Sequence, residues 1–236
     1  ITINLEGAGE NITVSLDEDP LAPKAHPLVS ELMVLTNAAL AAWAKEHGVT
    51  LLHRTQDVAI PKEFSGIWQT PLEIARVVKA LAPAVLETNP RPHAGLGEAM
   101  YAPSTSPLRR YPDMINETQI ISLLRDGKPR WSKEELDTLL PLLNAHLDAA
   151  GPVQRFRPRY WKLLYFKQQG DRWWPAVITD ENDAFVTVNM PKEQMIVRAR
   201  RQFFGERTHP GQELEIRLGK VHPLQNDFQL LETREI

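Results

Sequence analysis

The side chains best suited to chemistry lie together in the segment 101–113, which reads YAPSTSPLRRYPD. Two adjacent guanidinium groups, Arg109 and Arg110, offer planar pairs of donors that match the oxygens of a phosphate group. Thr and Ser ahead of Pro are typical of a helix start, where free backbone N–H groups attract anions. We therefore expect a phosphate site here. The alternative, which composition alone favours, is a capped helix whose arginines pair with neighbouring carboxylates such as Asp113.

A second group of cations and aromatic rings follows residue 151. Its members alternate along the chain in a way that suits single-stranded nucleic acid, because phosphates bind the cations and bases stack on the rings. They are Arg155, Phe156, Arg157, Arg159, Tyr160, Trp161, Lys162, Arg172, Trp173 and Trp174. Successive residues of a strand point to opposite faces, so one member of each adjacent aromatic pair should belong to a core instead.

The elements that must position these residues change in character along the chain. Residues 1–16 alternate apolar and polar, which predicts a β-hairpin. Apolar periodicity and stop signals predict helices over 27–47, 71–81, 112–125 and from Ser132 to the Gly151-Pro152 pair. Ser132 and Glu135 form a capping box, and Gly127 ends the third helix. The proline-bearing stretch 82–111 is expected to be irregular.

After Gly151 the period with which apolar residues recur shortens from that of a helix to that of a strand. Short strands are predicted at 160–168, 172–179, 184–189, 213–220 and 228–231, with a helical or irregular stretch at 191–205. Five short strands in about 80 residues suit a small OB-type barrel. The predicted fold class is therefore α+β: helices on a sheet over residues 1–152, then a five-stranded barrel over 153–236.

Composition bounds the function classes. The 236 residues include 42% hydrophobic and 24% charged side chains, no Cys and a net charge of −3, which excludes a disordered chain or a disulfide framework. Residues 1–151 hold 13 basic and 19 acidic side chains, and residues 152–236 hold 14 and 11. A basic second region permits binding of a polyanion, although scatter of surface charge explains it equally well. No apolar run reaches the roughly 20 residues of a membrane span, and no signal peptide is visible, so we expect a cytoplasmic protein without membrane contact.

The sequence offers no cluster of metal ligands. The seven histidines show no His-x-x-x-His pair with a carboxylate partner. The acidic run Asp17-Glu18-Asp19 is better explained as a solvated loop. Gly95-Leu-Gly97 lacks the third glycine and the preceding strand of a phosphate-binding loop.

Two stretches belong together here: His93-Ala-Gly-Leu-Gly through Tyr101, and the run Thr105-Ser-Pro-Leu-Arg-Arg-Tyr-Pro-Asp113-Met-Ile-Asn116. Together they closely resemble the motif of the RNase II (RNB) family. Residues 28–37 resemble an earlier helix of the same domain. The family consists of processive 3′-to-5′ exoribonucleases that release nucleoside monophosphates. Its members end in an OB-fold RNA-binding domain, which matches the predicted barrel, so the resemblance covers nearly the whole chain.

The resemblance implies roles for particular residues. Arg109 falls on the family's catalytic arginine, which contacts the scissile phosphate, and Arg110 would help to hold the RNA backbone. The residues expected to line the RNA channel are His93, Tyr101, Thr105 and Ser106. In the barrel region, Arg157, Arg159, Trp161 and Trp173 are the candidates for RNA binding. Magnesium is implied as the cofactor, but the family's cluster of metal-binding aspartates has no counterpart in this chain.

We therefore expect this chain to be the C-terminal half of a nuclease domain with its RNA-binding barrel. An upstream part of the domain, in the same protein or a second polypeptide, would complete it, and the chain alone would be inactive. Glu117-Thr118 stand where the family usually has His-Arg, and Gln154-Arg155 where it has Glu-Arg. A catalytically inactive RNA-binding module and a protein-interaction domain are the alternatives.

Overall fold

A computed structural model describes residues 1–17, 25–64, 66, 68–205 and 207–236. The chain divides into two compact units. One comprises Ala22–Ser65 and Ala80–Ala150, and the other comprises Ile1–Leu21, Gly66–Lys79 and Gly151–Ile236. We call them the helical unit and the sheet unit. Residues 18 and 19 of the acidic run lie outside the described residues.

The elements follow one another as two hairpin strands, four helices with two short strands among them, and five strands. They are β1 (Thr2–Glu6), β2 (Thr13–Asp17), α1 (Ala25–Glu46), β3 (His53–Thr55), α2 (Pro71–Ala80), β4 (Val85–Glu87), α3 (Tyr111–Asp126), α4 (Lys133–Gln169), β5 (Trp173–Glu181), β6 (Phe185–Met190), β7 (Met195–Arg200), β8 (Glu213–His222) and β9 (Asp227–Glu235).

The predicted hairpin and the first three predicted helices are confirmed. Strands β1 and β2 pair antiparallel. Helix α3 ends at Gly127, whose φ of 71° is the left-handed conformation that glycine adopts without strain. The capping box also forms: the backbone N–H of Ser132 donates to Glu135 over 2.8 Å, and that of Glu135 donates to Ser132 Oγ over 3.2 Å.

Helix α1 buries only a narrow stripe of its side chains. Asn37, Ala41 and Ala44 are its buried residues, whereas Leu28, Leu32 and Leu35 are more than half exposed. By length and composition this helix could cross a membrane, contrary to the expectation that the chain contains no such segment. A buried core helix passes the same test, so that property alone does not assign a membrane span.

Helix α3 buries polar side chains that bind backbone groups elsewhere in the helical unit. Asn116 is fully buried; its Oδ1 accepts from the N–H of Leu52 over 2.7 Å, and its Nδ2 donates to the carbonyls of Leu52 and Pro103. Gln119 makes three similar bonds, to the carbonyl of Thr50 and to both backbone groups of Trp131. These amides satisfy backbone groups that would otherwise be buried without partners.

The sheet unit contains a curled antiparallel sheet of order β7-β6-β5-β8-β9. In the part of the chain that the structure describes, no strand pairing joins the edge strands β7 and β9. The predicted fold class, α+β with an OB-like barrel, is confirmed as a half-barrel. Its core packs Trp174, Ile178, Val188 and Ile216 against Leu163 and Phe166 of α4.

Two predictions about the second half of the chain are wrong. Residues 160–168 belong to α4, not to a strand, because the helix continues through Gly151-Pro152 to Gln169. An interior proline costs a helix about 3 kcal/mol, but Leu163 and Phe166, one turn apart, are buried in the sheet unit's core and offset that cost. The stretch 191–205 contains β7, where Met195 and Val197 point inward and Ile196 and Arg198 are exposed.

Candidate nucleic-acid interface

The two adjacent arginines of the segment 101–110 have different environments. Arg110 precedes α3, and its guanidinium donates to Oδ1 of Asp113 from Nε over 3.0 Å and from Nη2 over 2.6 Å. Asp113 is 1% exposed, so it needs this partner. The same Oδ1 accepts from the backbone N–H of Ser106 over 3.0 Å. For Arg110 the structural alternative raised by the sequence therefore holds: it pairs with Asp113.

Arg109 is exposed. It lies in a turn in which its backbone N–H donates to the carbonyl of Ser106 over 3.2 Å. Its Nη2 lies 3.5 Å from Ser106 Oγ, and no ion pair joins it to a carboxylate among the described residues. An exposed guanidinium without a carboxylate partner keeps its donors available for an anion.

Tyr101 and His93, both predicted to line a channel, are buried in the helical unit. Tyr101 is 9% and His93 8% exposed, and their rings meet edge to face with centroids 5.8 Å apart. Burial and the nearby Arg54 lower the pKa of His93 below its ordinary value, which keeps the ring neutral. These two rings support the segment from within rather than forming an open stacking surface.

Thr105 and Ser106 are half-buried, between the buried part of the segment and the exposed turn. Thr105 Oγ1 accepts from Asn37 Nδ2 over 3.3 Å and lies 3.5 Å from Nη2 of Arg110. The sequence indicates Asn37 only as the last residue of the stretch 28–37, which resembles a helix of the family. Its side chain contacts three residues of the segment, a role that no local pattern around position 37 indicates.

The described residues do not fit a magnesium site. They contain no group of three or more His, Asp or Glu side chains close enough to hold a metal ion. Oδ2 of Asp113 is buried without a partner, but the other oxygen of that carboxylate is occupied by Arg110 and Ser106. A single free oxygen beside a guanidinium is not the oxygen-rich ligand set that magnesium requires.

In the sheet unit, the predicted RNA-binding residues of α4 lie on different faces of that helix. Arg157 and Arg159 are two residues apart, which separates them by about 200° around the axis. Arg157 is exposed. Arg159 is half-buried: its Nη1 donates to the carbonyl of Ile196 over 3.3 Å, and burial lowers its pKa from the ordinary value. Trp161, half-buried one turn after Arg157, packs its ring edge-on against Tyr160.

The adjacent tryptophans of β5 divide between the two faces of the sheet, as predicted. Trp174 is 1% exposed and lies in the core, with Phe166 edge-on at 4.8 Å. Trp173 is half-buried on the other face, where the guanidinium of Arg234 lies 4.3 Å from its ring centre. One face of the Trp173 ring is thus already in contact with a cation.

A groove between β7 and β9 contains cations and rings that the sequence reasoning did not combine. It has a volume of about 530 Å³ and is lined by Arg159, Arg198, Phe185 and Phe228, among others. The Arg198 guanidinium lies 4.4 Å from the ring centre of Phe185, and that of Arg159 lies 5.7 Å from the ring centre of Phe228. Recognition of β7 as a strand would have indicated a cation beside this groove, because the alternation of its side chains places Arg198 on the outer face.

Comparison with known proteins identifies a family and several relatives. The family model described as the RNB domain matches residues 4–126. An uncharacterized ribonuclease from Synechocystis sp. is 24% identical over 231 residues, which is 95% of this chain and 34% of the relative. The chloroplastic/mitochondrial ribonuclease II of Arabidopsis thaliana is 26% identical over 219 residues, covering 89% of this chain and 26% of that protein. The chain therefore spans about a quarter to a third of the length of these relatives.

Solved structures with the same fold include an active-site mutant of the Dss1 exoribonuclease from Candida glabrata. It has a TM-score of 0.79 at 22% identity and covers 97% of this chain and 31% of its own. RNase R from Mycoplasma genitalium in complex with ribose-methylated single-stranded RNA has a TM-score of 0.68 at 15% identity, covering 98% of this chain and 45% of its own. Yeast Ssd1, a pseudonuclease, has a TM-score of 0.58 at 14% identity, covering 87% and 29%.

Proposed function

The chain belongs to the RNB family, and from that membership we propose that it is part of a 3′-to-5′ exoribonuclease that hydrolyses single-stranded RNA to nucleoside monophosphates. The observation that carries the proposal is the state of Arg109. It is exposed and without a carboxylate partner among the described residues, while the neighbouring Arg110 is held by Asp113. Arg109 is therefore the member of the pair whose donors are free to contact a phosphate.

The chemistry of phosphodiester hydrolysis explains why a free guanidinium would matter. Attack on the phosphorus builds negative charge on the phosphate oxygens, and a positioned guanidinium stabilises that charge. Arg109 would contact the scissile phosphate from the exposed turn. Arg110 would chiefly fix the turn, because its donors are directed at Asp113. Removal of such an electrostatic contact typically lowers the rate by roughly 100- to 1,000-fold.

The sheet unit would hold the RNA strand. Exposed Arg157 and the groove with Arg198 and Phe185 supply cations for phosphates and rings for bases. The similar RNase R forms a complex with ribose-methylated single-stranded RNA, which supports RNA as the ligand. Retention of RNA by several weak contacts along its length would suit an enzyme that removes one nucleotide after another.

The metal and the location are further proposals. The relatives are longer than this chain, and we propose that the aspartates that hold magnesium lie in the part of such proteins that this chain does not span. This chain alone would then bind RNA without degrading it. The cytoplasmic location stays a prediction, since one of the relatives above is chloroplastic or mitochondrial.

The proposal is tested with the natural protein and a single-stranded RNA labelled at its 5′ end. We expect magnesium-dependent shortening of the labelled strand from its 3′ end and, with a uniformly labelled sample of the same RNA, release of mononucleotides. Internal cuts, or attack from the 5′ end, would contradict it. This chain alone should bind the same RNA at low salt, and undetectable binding there would reject the role of the sheet unit.

A second candidate is a catalytically inactive RNA-binding module. It is considered because the solved structures with the same fold include yeast Ssd1, a pseudonuclease. The same experiment separates the two: RNA binding without degradation at any magnesium concentration would support the inactive module.

A further inference from the structure

Asn37 uses both polar atoms of its side chain to hold the segment that carries Arg109. The residue is fully buried on α1. Its Oδ1 accepts from the backbone N–H of Ser104 over 2.8 Å, and its Nδ2 donates to the hydroxyls of Tyr101 over 2.8 Å and Thr105 over 3.3 Å. One side chain therefore links three of five consecutive residues to a helix distant in sequence.

The position of those residues determines the turn that follows. The carbonyl of Ser106 accepts from the backbone N–H groups of Arg109 over 3.2 Å and Arg110 over 3.0 Å. The N–H of Ser106 donates to Asp113 of α3. The turn is thus held by Asn37 from the side of α1 and by Asp113 from the side of α3.

Arg109 depends on these two anchors because, among the described residues, the hydrogen bonding of its own side chain is limited to the 3.5 Å contact with Ser106 Oγ. The exposed turn would move if the residues before it were released. Small displacements of a group that stabilises a reacting phosphate are costly: about 1 Å can lower a rate by roughly 100-fold.

We propose that Asn37 is a positioning residue for Arg109. It fixes residues 101–105, and through Ser106 it determines where the guanidinium of Arg109 is presented. The effect on catalysis rests on the function proposed above, whereas the effect on the turn is a property of this chain by itself. The two parts can therefore fail separately.

The positional part is tested by trypsin cleavage of this chain after Arg109, which reports how often the turn opens. Asn37→Ala should raise that cleavage rate by roughly 100-fold, since it removes three hydrogen bonds. Gln119→Ala is the matched control, because Gln119 is equally buried but binds Thr50 and Trp131. It should raise cleavage after the exposed Arg130 and leave cleavage after Arg109 unchanged.

A crossed pattern of this kind cannot arise from general destabilisation. Equal increases at both sites in both variants, or no increase after Arg109 in Asn37→Ala, would overturn the proposal. If Asn37→Ala does not fold, Tyr101→Phe replaces it, because it keeps the ring and removes one acceptor of Asn37. It should raise cleavage after Arg109 by about fivefold, the effect of one ordinary hydrogen bond, and no change there would likewise overturn the proposal.

The catalytic part is tested by a double-mutant cycle in the natural protein, with rates measured over a range of RNA concentrations that reaches saturation. Asn37→Ala should lower kcat at least tenfold with little change in KM, and should have less than a twofold effect when Arg109 is already alanine. An equal loss in both backgrounds would show that Asn37 does not act through Arg109. If the unaltered protein degrades no RNA, the proposed function fails while the proteolysis result still decides the position of the turn.

Discussion

The Nη2 atom of Arg110 lies 2.6 Å from Oδ1 of Asp113, whose side chain is buried. That oxygen also binds the backbone of Ser106, so the ion pair joins the start of α3 to the turn before it. Arg109, the preceding residue in the chain, has no such pair among the described residues. The two arginines are therefore expected to respond differently to substitution.

Loss of Arg110 should lower stability, and loss of Arg109 should not. Arg110→Ala leaves the buried carboxylate of Asp113 with only the Ser106 N–H, which should cost about 2 kcal/mol, less than a fully buried pair because Arg110 is partly exposed. Arg109→Ala should change the free energy of unfolding by less than about 0.5 kcal/mol. Urea unfolding of both variants measures this, and equal losses would contradict the assignment.

His53 should make the stability of the chain depend on pH. Burial lowers the pKa of His53 from 6.5 to about 4, while Glu87 opposes the shift. Between those values the unfolded chain binds the proton and the folded chain does not, so stability is full above pH 6.5 and falls as the pH falls towards 4. The loss between pH 7 and pH 5 should be about 2 kcal/mol.

The control for this prediction is His53→Asn, in which the contribution of His53 disappears and the pH dependence becomes shallower. NMR titration of the His53 ring gives a direct reading of the same quantity. A pKa near 6.5 in the folded chain would contradict the burial argument.

Arg157 should contribute to RNA binding through charge. Arg157→Ala should weaken binding of single-stranded RNA by roughly three- to tenfold at low salt and reduce the slope of log K against log salt by about 0.7, the value for one lost phosphate contact. Arg125→Ala is the control, since Arg125 is an exposed arginine that pairs with Asp126. Equal effects of both substitutions would indicate a general charge effect rather than a binding site.

The two tryptophans of β5 should separate stability from RNA binding. Trp174→Ala opens the core of the sheet unit and should cost about 3–5 kcal/mol. Trp173→Ala removes a half-buried ring and its contact with Arg234, which should cost about 1 kcal/mol or less. If Trp173 faces RNA, its loss should weaken binding more than it weakens folding; thermal unfolding and RNA titration of both variants decide this.

Local signals predicted the features that depend on local interactions. Gly127 and the Ser132–Glu135 box are decided within a few residues, and both agree with the structure. The Gly151-Pro152 pair is also a local signal, but it misled because burial of Leu163 and Phe166 in a distant core outweighs it. The strand predicted over 160–168 was wrong for that reason.

In the candidate site, too, local signals did not reveal the contacts between distant segments. The run from Thr105 to Asp113 indicated a phosphate site. The family resemblance gave Arg109 and Arg110 different roles, but their residue types and positions in the run did not separate them. The two arginines differ in their tertiary contacts. Helix α3 directs the side chain of Asp113 inward, where it binds the N–H of Ser106, and Asn37 of α1 binds the N–H of Ser104. Burial of Tyr101 and His93 likewise depends on contacts between segments far apart in the chain.

The most direct test of the account compares RNA cleavage and RNA binding for Arg109→Ala in the natural protein. Single-turnover rates give the chemical step, and titration in the absence of divalent metal gives the dissociation constant. If Arg109 stabilises the reacting phosphate, the rate should fall by roughly 100- to 1,000-fold while the affinity stays within about threefold of that of the unaltered protein. A loss of affinity as large as the loss of rate would contradict it, because Arg109 would then bind RNA without a special role in cleavage.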